Sequence, residues 1–140
     1  MKLNLECIRA VMMEIEKSWQ LETNHIGDIR MGYLDIRELY AALPEFDKKD
    51  IFYTLYNLDQ AGFISISVDW CDDGVVSECV VNYMSFFGHQ FLDKIRDTQN
   101  WSFIKKSLSA VRDYSLDAIT ALAEGFTNSA IKSVLQKIGS

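Results

Sequence analysis

The stretch from Asp35 to Tyr83, DIRELYAALPEFDKKDIFYTLYNLDQAGFISISVDWCDDGVVSECVVNY, decides the fold. Asp35 is placed to cap the first amides of a helix, and Glu38 three residues on supplies the returning half of a capping box. Pro44 stops that helix. Asp47 and Asp50 repeat the spacing at once, and Phe46 stands where a hydrophobic staple would meet Ile51, so a second helix of the pair starts here and ends at Gly62. The hydrophobic period then drops to two. Ile64, Ile66, Val68 and Trp70 alternate with Ser65, Ser67 and Asp69, as in a half-buried strand, and Asp73-Gly74 reads as a type I′ hairpin turn. That turn sets Val68 against Cys79, Ile66 against Val81 and Ile64 against Tyr83, with Cys71 on the opposite face from Cys79.

Upstream, Leu5, Ile8, Val11, Met12, Ile15 and Trp19 recur at helical spacing and give a first helix. Residues 22–30 read as a polar loop, followed by a short strand at Met31 to Leu34. The resulting order is three helices and then a two-stranded hairpin. This is the order of a winged helix, the helix-turn-helix variant whose hairpin is the wing. The expected class is therefore mainly α with a small β-hairpin, with residues 1–84 as the winged-helix core. Residues 85–140 add C-terminal helices to the same single domain: one opened by Ser85 and carrying Phe86, Phe87, Phe91, Leu92 and Ile95, one from about Trp101, and one after Ser115.

The strings MKLNLECIRAVMMEIE at the start, LDQAGFI at the end of the third helix, and above all FFGHQFLDKIRDTQNW between Phe86 and Trp101 resemble the domain of unknown function 2513 family, short proteins of bacteria and their phages. The resemblance runs from Met1 to the final helix, and its most specific part is Gly88 to Trp101. The family is uncharacterised, so the resemblance implies a setting, bacterial or phage, without an activity. The Ser85 to Leu92 segment also looks like the junction after the wing in bacterial winged-helix regulators, with Ser85 capping a helix and Gly88 three residues later. Phe87 departs from the family pattern, where a charged residue is usual.

Composition narrows the function classes. The 140 residues are 49% hydrophobic and carry a formal net charge of -6, enough apolar content for one packed core. Charges interrupt every apolar run, and the N-terminus lacks a signal-peptide pattern, so no membrane association and a cytoplasmic location are expected. Cys7, Cys71 and Cys79 match no zinc or redox spacing, and His25 and His89 lie far apart, so no metal or cofactor is expected. Asp93 and Asp97 at helical spacing read as a solvated or salt-bridged face. No Gly-rich phosphate loop, Ser-His-Asp set or HExxH motif is present, and the chain is read as non-enzymatic.

Charge is unevenly spread: net -3 over residues 1–46, -5 over 47–84 and +2 over 85–140. On the third helix, Ile51, Leu55 and Leu58 project inward, leaving Lys48, Lys49, Tyr53, Tyr56, Asn57 and Gln60 as the face for double-stranded DNA or a protein partner. Two readings stand. One is a phage or prophage DNA-binding regulator or accessory factor. The other is an acidic protein-interaction module, such as an inhibitor of a host nucleic-acid-binding defence enzyme, motivated by Asp69, Asp72, Asp73 and Glu78 on the wing. A stripe in the last helix, Leu116, Ile119, Ala123, Phe126, Ala130 and Val134, is the expected homodimer interface, with intramolecular packing as its alternative.

Overall fold

The computed structural model describes residues 1–124. In chain order it contains α1 (Leu5–Ser18), β1 (Glu22–Thr23), β2 (Ile29–Arg30), β3 (Leu34–Asp35), α2 (Ile36–Ala42), α3 (Lys48–Gln60), β4 (Ile64–Trp70), β5 (Val76–Met84), α4 (Phe86–Arg96), α5 (Thr98–Val111) and α6 (Leu116–Glu124). It is a mixed α/β protein, richer in helix, with two small antiparallel sheets. β1 and β2 form a hairpin within the stretch expected to be loop; β3, β5 and β4 lie in that order in the other sheet. The strand expected at Met31 to Leu34 starts three residues later and ends one residue later, and it joins the edge of β5 through Leu34–Val81 and Asp35–Val80 pairs.

Local chemistry explains the boundaries. Asp35 accepts from the Arg37 amide while Glu38 accepts from the Asp35 amide, a complete capping box. At α3 only half of the second expected box forms: Asp47 accepts from the Lys49 amide at 3.2 Å, and Asp50 makes no returning bond. Gly62, at φ +80, ends α3, with the Phe63 amide reaching the Leu58 carbonyl and the Gly62 amide the Asp59 carbonyl. These are the two bonds of a Schellman motif, which needs a left-handed residue where glycine stands.

The hairpin keeps Val68–Cys79 and Ile66–Val81 as expected but corrects the rest of the register. The turn is one residue longer than a type I′ turn. Cys71 and Val75 close it, the Gly74 amide bonds the Cys71 carbonyl, and Gly74 sits at φ +84. Ser77 is then an extra residue between the Trp70–Val76 and Asp69–Glu78 pairs, which restores the pairing that the longer loop had shifted. A second irregularity at Asn82 puts Ile64 opposite Met84 and Ser65 opposite Tyr83, where Ile64–Tyr83 was expected. Asn82 is held there by its amide on the Ser65 and Ser67 hydroxyls and by its carbonyl, which accepts from the Trp19 indole at 2.7 Å.

The buried side chains form one cluster from Cys7 to Ala123, drawing on each of these helices and on the β3–β5–β4 sheet. α1 is central to it. It packs on α3 and α4, and its charged edge is tied down by Arg9 donating to the Ile95 and Arg96 carbonyls, by Arg96 on Glu16, and by Lys105 on Glu6. α4 docks on the end of α3 through Ser85. Its amide donates to the Phe63 carbonyl and its hydroxyl to the Gly62 carbonyl, while the same hydroxyl accepts from the Gly88 amide. Gly88 is forced by this joint, because a Cβ there would lie 2.0 Å from the Phe63 oxygen.

One expectation about the C-terminal helices is corrected, at Asp97. Phe91, Leu92 and Ile95 are buried, while Phe86 and Phe87, whose exposure the sequence does not assign, are 71% and 64% exposed and pack edge-on against each other. Asp97 belongs to no solvated pair, since it caps α5 through the Asn100 amide, and this starts that helix three residues earlier than expected. Asp93 lies beside Arg96, as a salt-bridged face requires.

Candidate functional site

Along α3 the buried residues Ile51, Thr54, Leu55 and Leu58 occupy one arc. At about 100° per residue, the centre of the opposite arc falls on Lys49 and Gln60, flanked equally by Tyr56 and Tyr53, with Phe52 at one edge. Lys48, Lys49, Tyr56 and Gln60 are exposed, and Tyr53 and Asn57 are half-buried. The six expected residues thus fall into two groups. Lys49, Tyr56 and Gln60 form an open strip. Lys48 leans away, its Nζ 5.4 Å from the centre of the Tyr40 ring, and the Asn57 side chain is spent on the Tyr53 carbonyl at 2.8 Å. Tyr53 donates its hydroxyl to the Met1 carbonyl at 3.2 Å, linking the helix to the N-terminal segment.

One part of the strip lies outside the sequence expectation. Phe52 stacks near Tyr56, with centroids 6.5 Å apart, and meets Trp70 edge-on at 5.9 Å. Trp70 is 56% exposed and Tyr56 45% exposed, so an aromatic bridge joins α3 to the hairpin on an accessible surface. Its signal in the sequence is the apolar side chain at position 52, outside the inward arc.

The carboxylates near this surface divide in the same way. Asp47 is a helix cap, and Asp59 accepts from the Ile66 amide at 3.0 Å, holding β4 against α3. Both keep their negative charge, with the oxygen that accepts the amide fixed in place. Asp69, Asp72, Asp73 and Glu78 are all exposed, and none lies in an ion pair among the described residues. The hairpin is therefore as acidic in space as in sequence.

Arg37 on Asp35 holds that carboxyl below the usual carboxylate range. Burial pushes the Cys79 thiol up to about 11, and burial also raises the Cys7 thiol. Neither thiol is poised as a nucleophile. Among the described residues no group of three or more His, Cys, Asp or Glu side chains could hold a metal ion, and no helix is long and apolar enough to cross a membrane.

The expected dimer stripe is placed only in part. Ile119 and Ala123 are fully buried within the chain and Leu116 packs half-buried against the same core, because α6 lies across α4 and α5. These three residues are an intramolecular cover, which corrects the homodimer expectation at their positions. Phe126, Ala130 and Val134 lie outside the described residues.

A family model described as "Hypothetical protein (DUF2513)" matches residues 2–113. An uncharacterised protein of Haemophilus influenzae is 27% identical over 125 residues, covering 89% of this chain and 93% of that protein. No solved structure matches the chain.

Proposed function

We propose, for a chain that belongs to the DUF2513 family and so inherits no assigned activity, that it is a winged-helix DNA-binding regulator or accessory factor. α3 would be its recognition helix. The observation that carries this reading is the open strip of Lys49, Tyr56 and Gln60 on the helix face opposite the core, in a chain whose order α1, β3, α2, α3, β4, β5 is that of a winged helix. Lys and Gln side chains reach phosphates and base edges. Fluorescence anisotropy with a random-sequence duplex at about 50 mM salt tests it. Binding is expected, and Lys48→Ala with Lys49→Ala lowers the salt slope by about one unit for each phosphate that is no longer neutralised. No binding at that salt ends the proposal.

A second reading is favoured by a separate observation: the unpaired acids of the hairpin lie next to the exposed Trp70–Phe52–Tyr56 bridge. An aromatic patch rimmed by carboxylates suits a basic protein surface, including that of a host nucleic-acid-binding enzyme that the chain would inhibit. Here a partner is recovered by the intact chain and is not recovered with Asp72→Asn, Asp73→Asn and Trp70→Ala. A partner that fails to bind only the lysine variants would refute it.

A further inference from the structure

We propose that the cavity between the N-terminal segment, α3 and the α5–α6 turn is a phosphate-binding site, continuous with the exposed face of α3. The cavity has a volume of about 520 Å³ and is lined by Lys2, Tyr53, Ser109, Arg112, Tyr114 and Ser115 among others. That is space for a sugar-phosphate unit rather than a bare ion. Two cations line it together with the Ser109 and Tyr114 hydroxyls, no carboxylate of the described residues does, and the Tyr53 and Ser115 hydroxyls at its border are engaged by the Met1 carbonyl and the Ala118 amide. Neither Lys2 nor Arg112 is in an ion pair with a described residue. The nearest acid in sequence, Asp113, is not a lining residue; its carboxylate accepts from the amide of Ser115, which is. The Met1 carbonyl, which would repel an anion, is already engaged by the Tyr53 hydroxyl.

Arg112 adds a second argument. It ends α5 in the left-handed region, at φ 56 and ψ 34. Glycine is the ordinary residue at such a helix end, and a side chain there costs about 1 kcal/mol. The chain therefore spends backbone strain to place a guanidinium at the cavity. Tyr53 lines the cavity and also borders the open strip of α3, so a phosphate held by Lys2 and Arg112 sits beside Lys49, on a flank of α3 separate from the acidic hairpin.

The phosphate could come from a nucleic-acid backbone or from a free phosphate compound. Only the first source rests on the DNA-binding reading. Two titrations of the full chain separate them: inorganic pyrophosphate followed by amide NMR shifts at Ser109, Tyr114 and Ser115, and duplex DNA followed by anisotropy across a salt series. Arg112→Gly is the informative variant because it removes the guanidinium while relieving the backbone, so the fold is kept and the midpoint of unfolding stays level or rises. Lys17→Ala is the matched removal of charge elsewhere.

If the phosphate is nucleic acid, Lys2→Ala and Arg112→Gly together lower the salt slope of duplex binding by about 1.8, and Lys17→Ala does not lower it through this site. If the source is a free phosphate compound, pyrophosphate shifts those amides, Arg112→Gly abolishes the shifts, and duplex binding is unchanged or absent. Absence of duplex binding alongside such shifts ends the DNA reading and leaves the site standing. Pyrophosphate shifts that survive both substitutions, or no response to either ligand at these residues, overturn the site.

Discussion

Replacing Gly88 by alanine separates what α4 prefers as a helix from what the fold demands of it. Gly88 lies in the first turn of α4, where alanine ordinarily gains about 1 kcal/mol over glycine. Here the added Cβ would stand 2.0 Å from the Phe63 oxygen, 2.9 Å from the Phe63 carbonyl carbon and 2.8 Å from Met84 Cγ. Carbon–oxygen contacts settle no closer than about 3.3 Å, so α4 must retreat by about 1.3 Å. That movement strains the two bonds by which Ser85 holds the end of α3, at 2.9 and 2.5 Å. Overpacking costs about 1–3 kcal/mol, and each weakened hydrogen bond about 0.5–1.5. Against the helix gain, a net destabilisation of about 1–5 kcal/mol remains, which lowers the thermal midpoint by about 3–15 °C. Urea unfolding followed by circular dichroism measures it. Gly27→Ala is the comparison, since Gly27 has a left-handed φ of +88 and open space around it, and should cost only the backbone term of about 1 kcal/mol. A Gly88→Ala protein as stable as the parent would refute the close approach of α4 to Phe63.

Thr54 is buried with its hydroxyl lacking any oxygen or nitrogen partner and only the Cys7 thiol beside it, so Thr54→Val should leave stability unchanged or raise it by up to about 1 kcal/mol in the same urea assay. A thiol reagent at neutral pH should label Cys71 rapidly and Cys7 and Cys79 only after unfolding, because the last two are buried and the Cys79 thiol is pushed up to about 11. Lys105 lowers the Glu6 carboxyl and Arg96 the Glu16 carboxyl. Their contribution is therefore present above the unfolded carboxyl value of 4.5 and disappears as pH falls through the lower folded values. Glu6→Gln with Glu16→Gln should flatten the acid limb of the stability–pH curve below that value, by under about 1 kcal/mol per pair at these exposed positions.

Signals confined to a few neighbouring residues are legible in the sequence. The Asp35 box, the Asp47 cap, the Gly62 stop and the Ser85 cap each act through side chain and backbone within three residues, so residue type and spacing suffice to read them. The pairing of Ile66 with Val81 is legible for a different reason: the buried face of the sheet penalises any slip by one residue. What is not legible depends on compensation over distance. The longer turn at Cys71 to Val75 is cancelled by Ser77, so the two departures hide each other in the middle of the hairpin. The Asn82 irregularity is fixed by Trp19, 63 residues away. Phe86 and Phe87 are unassigned in sequence because hydrophobicity gives no direction; the docking of Gly88 on Phe63 turns them outward. The strip on α3 is nearly legible from helical projection, but projection alone does not show that Asn57 is occupied, that Lys48 leans on Tyr40, or that Trp70 meets Phe52.

The net charge of -6 does not describe how charge is arranged, because several charged side chains are fixed in internal bonds. Asp35, Asp47, Asp59, Asp97 and Asp113 accept backbone amides, Glu6 and Glu16 hold cations, and Arg9 is committed to the α4 carbonyls. Among the described residues Lys49, Lys2 and Arg112 have no carboxylate partner and follow Tyr53 from α3 to the cavity, while Asp69, Asp72, Asp73 and Glu78 stand outside any ion pair on the hairpin. If the chain binds a polyanion as proposed, the acidic hairpin would disfavour approach from its side of α3. On the DNA-binding reading proposed above, the acidic hairpin would face away from the duplex, and the N-terminal segment and the α5–α6 turn would supply the second arm of the contact.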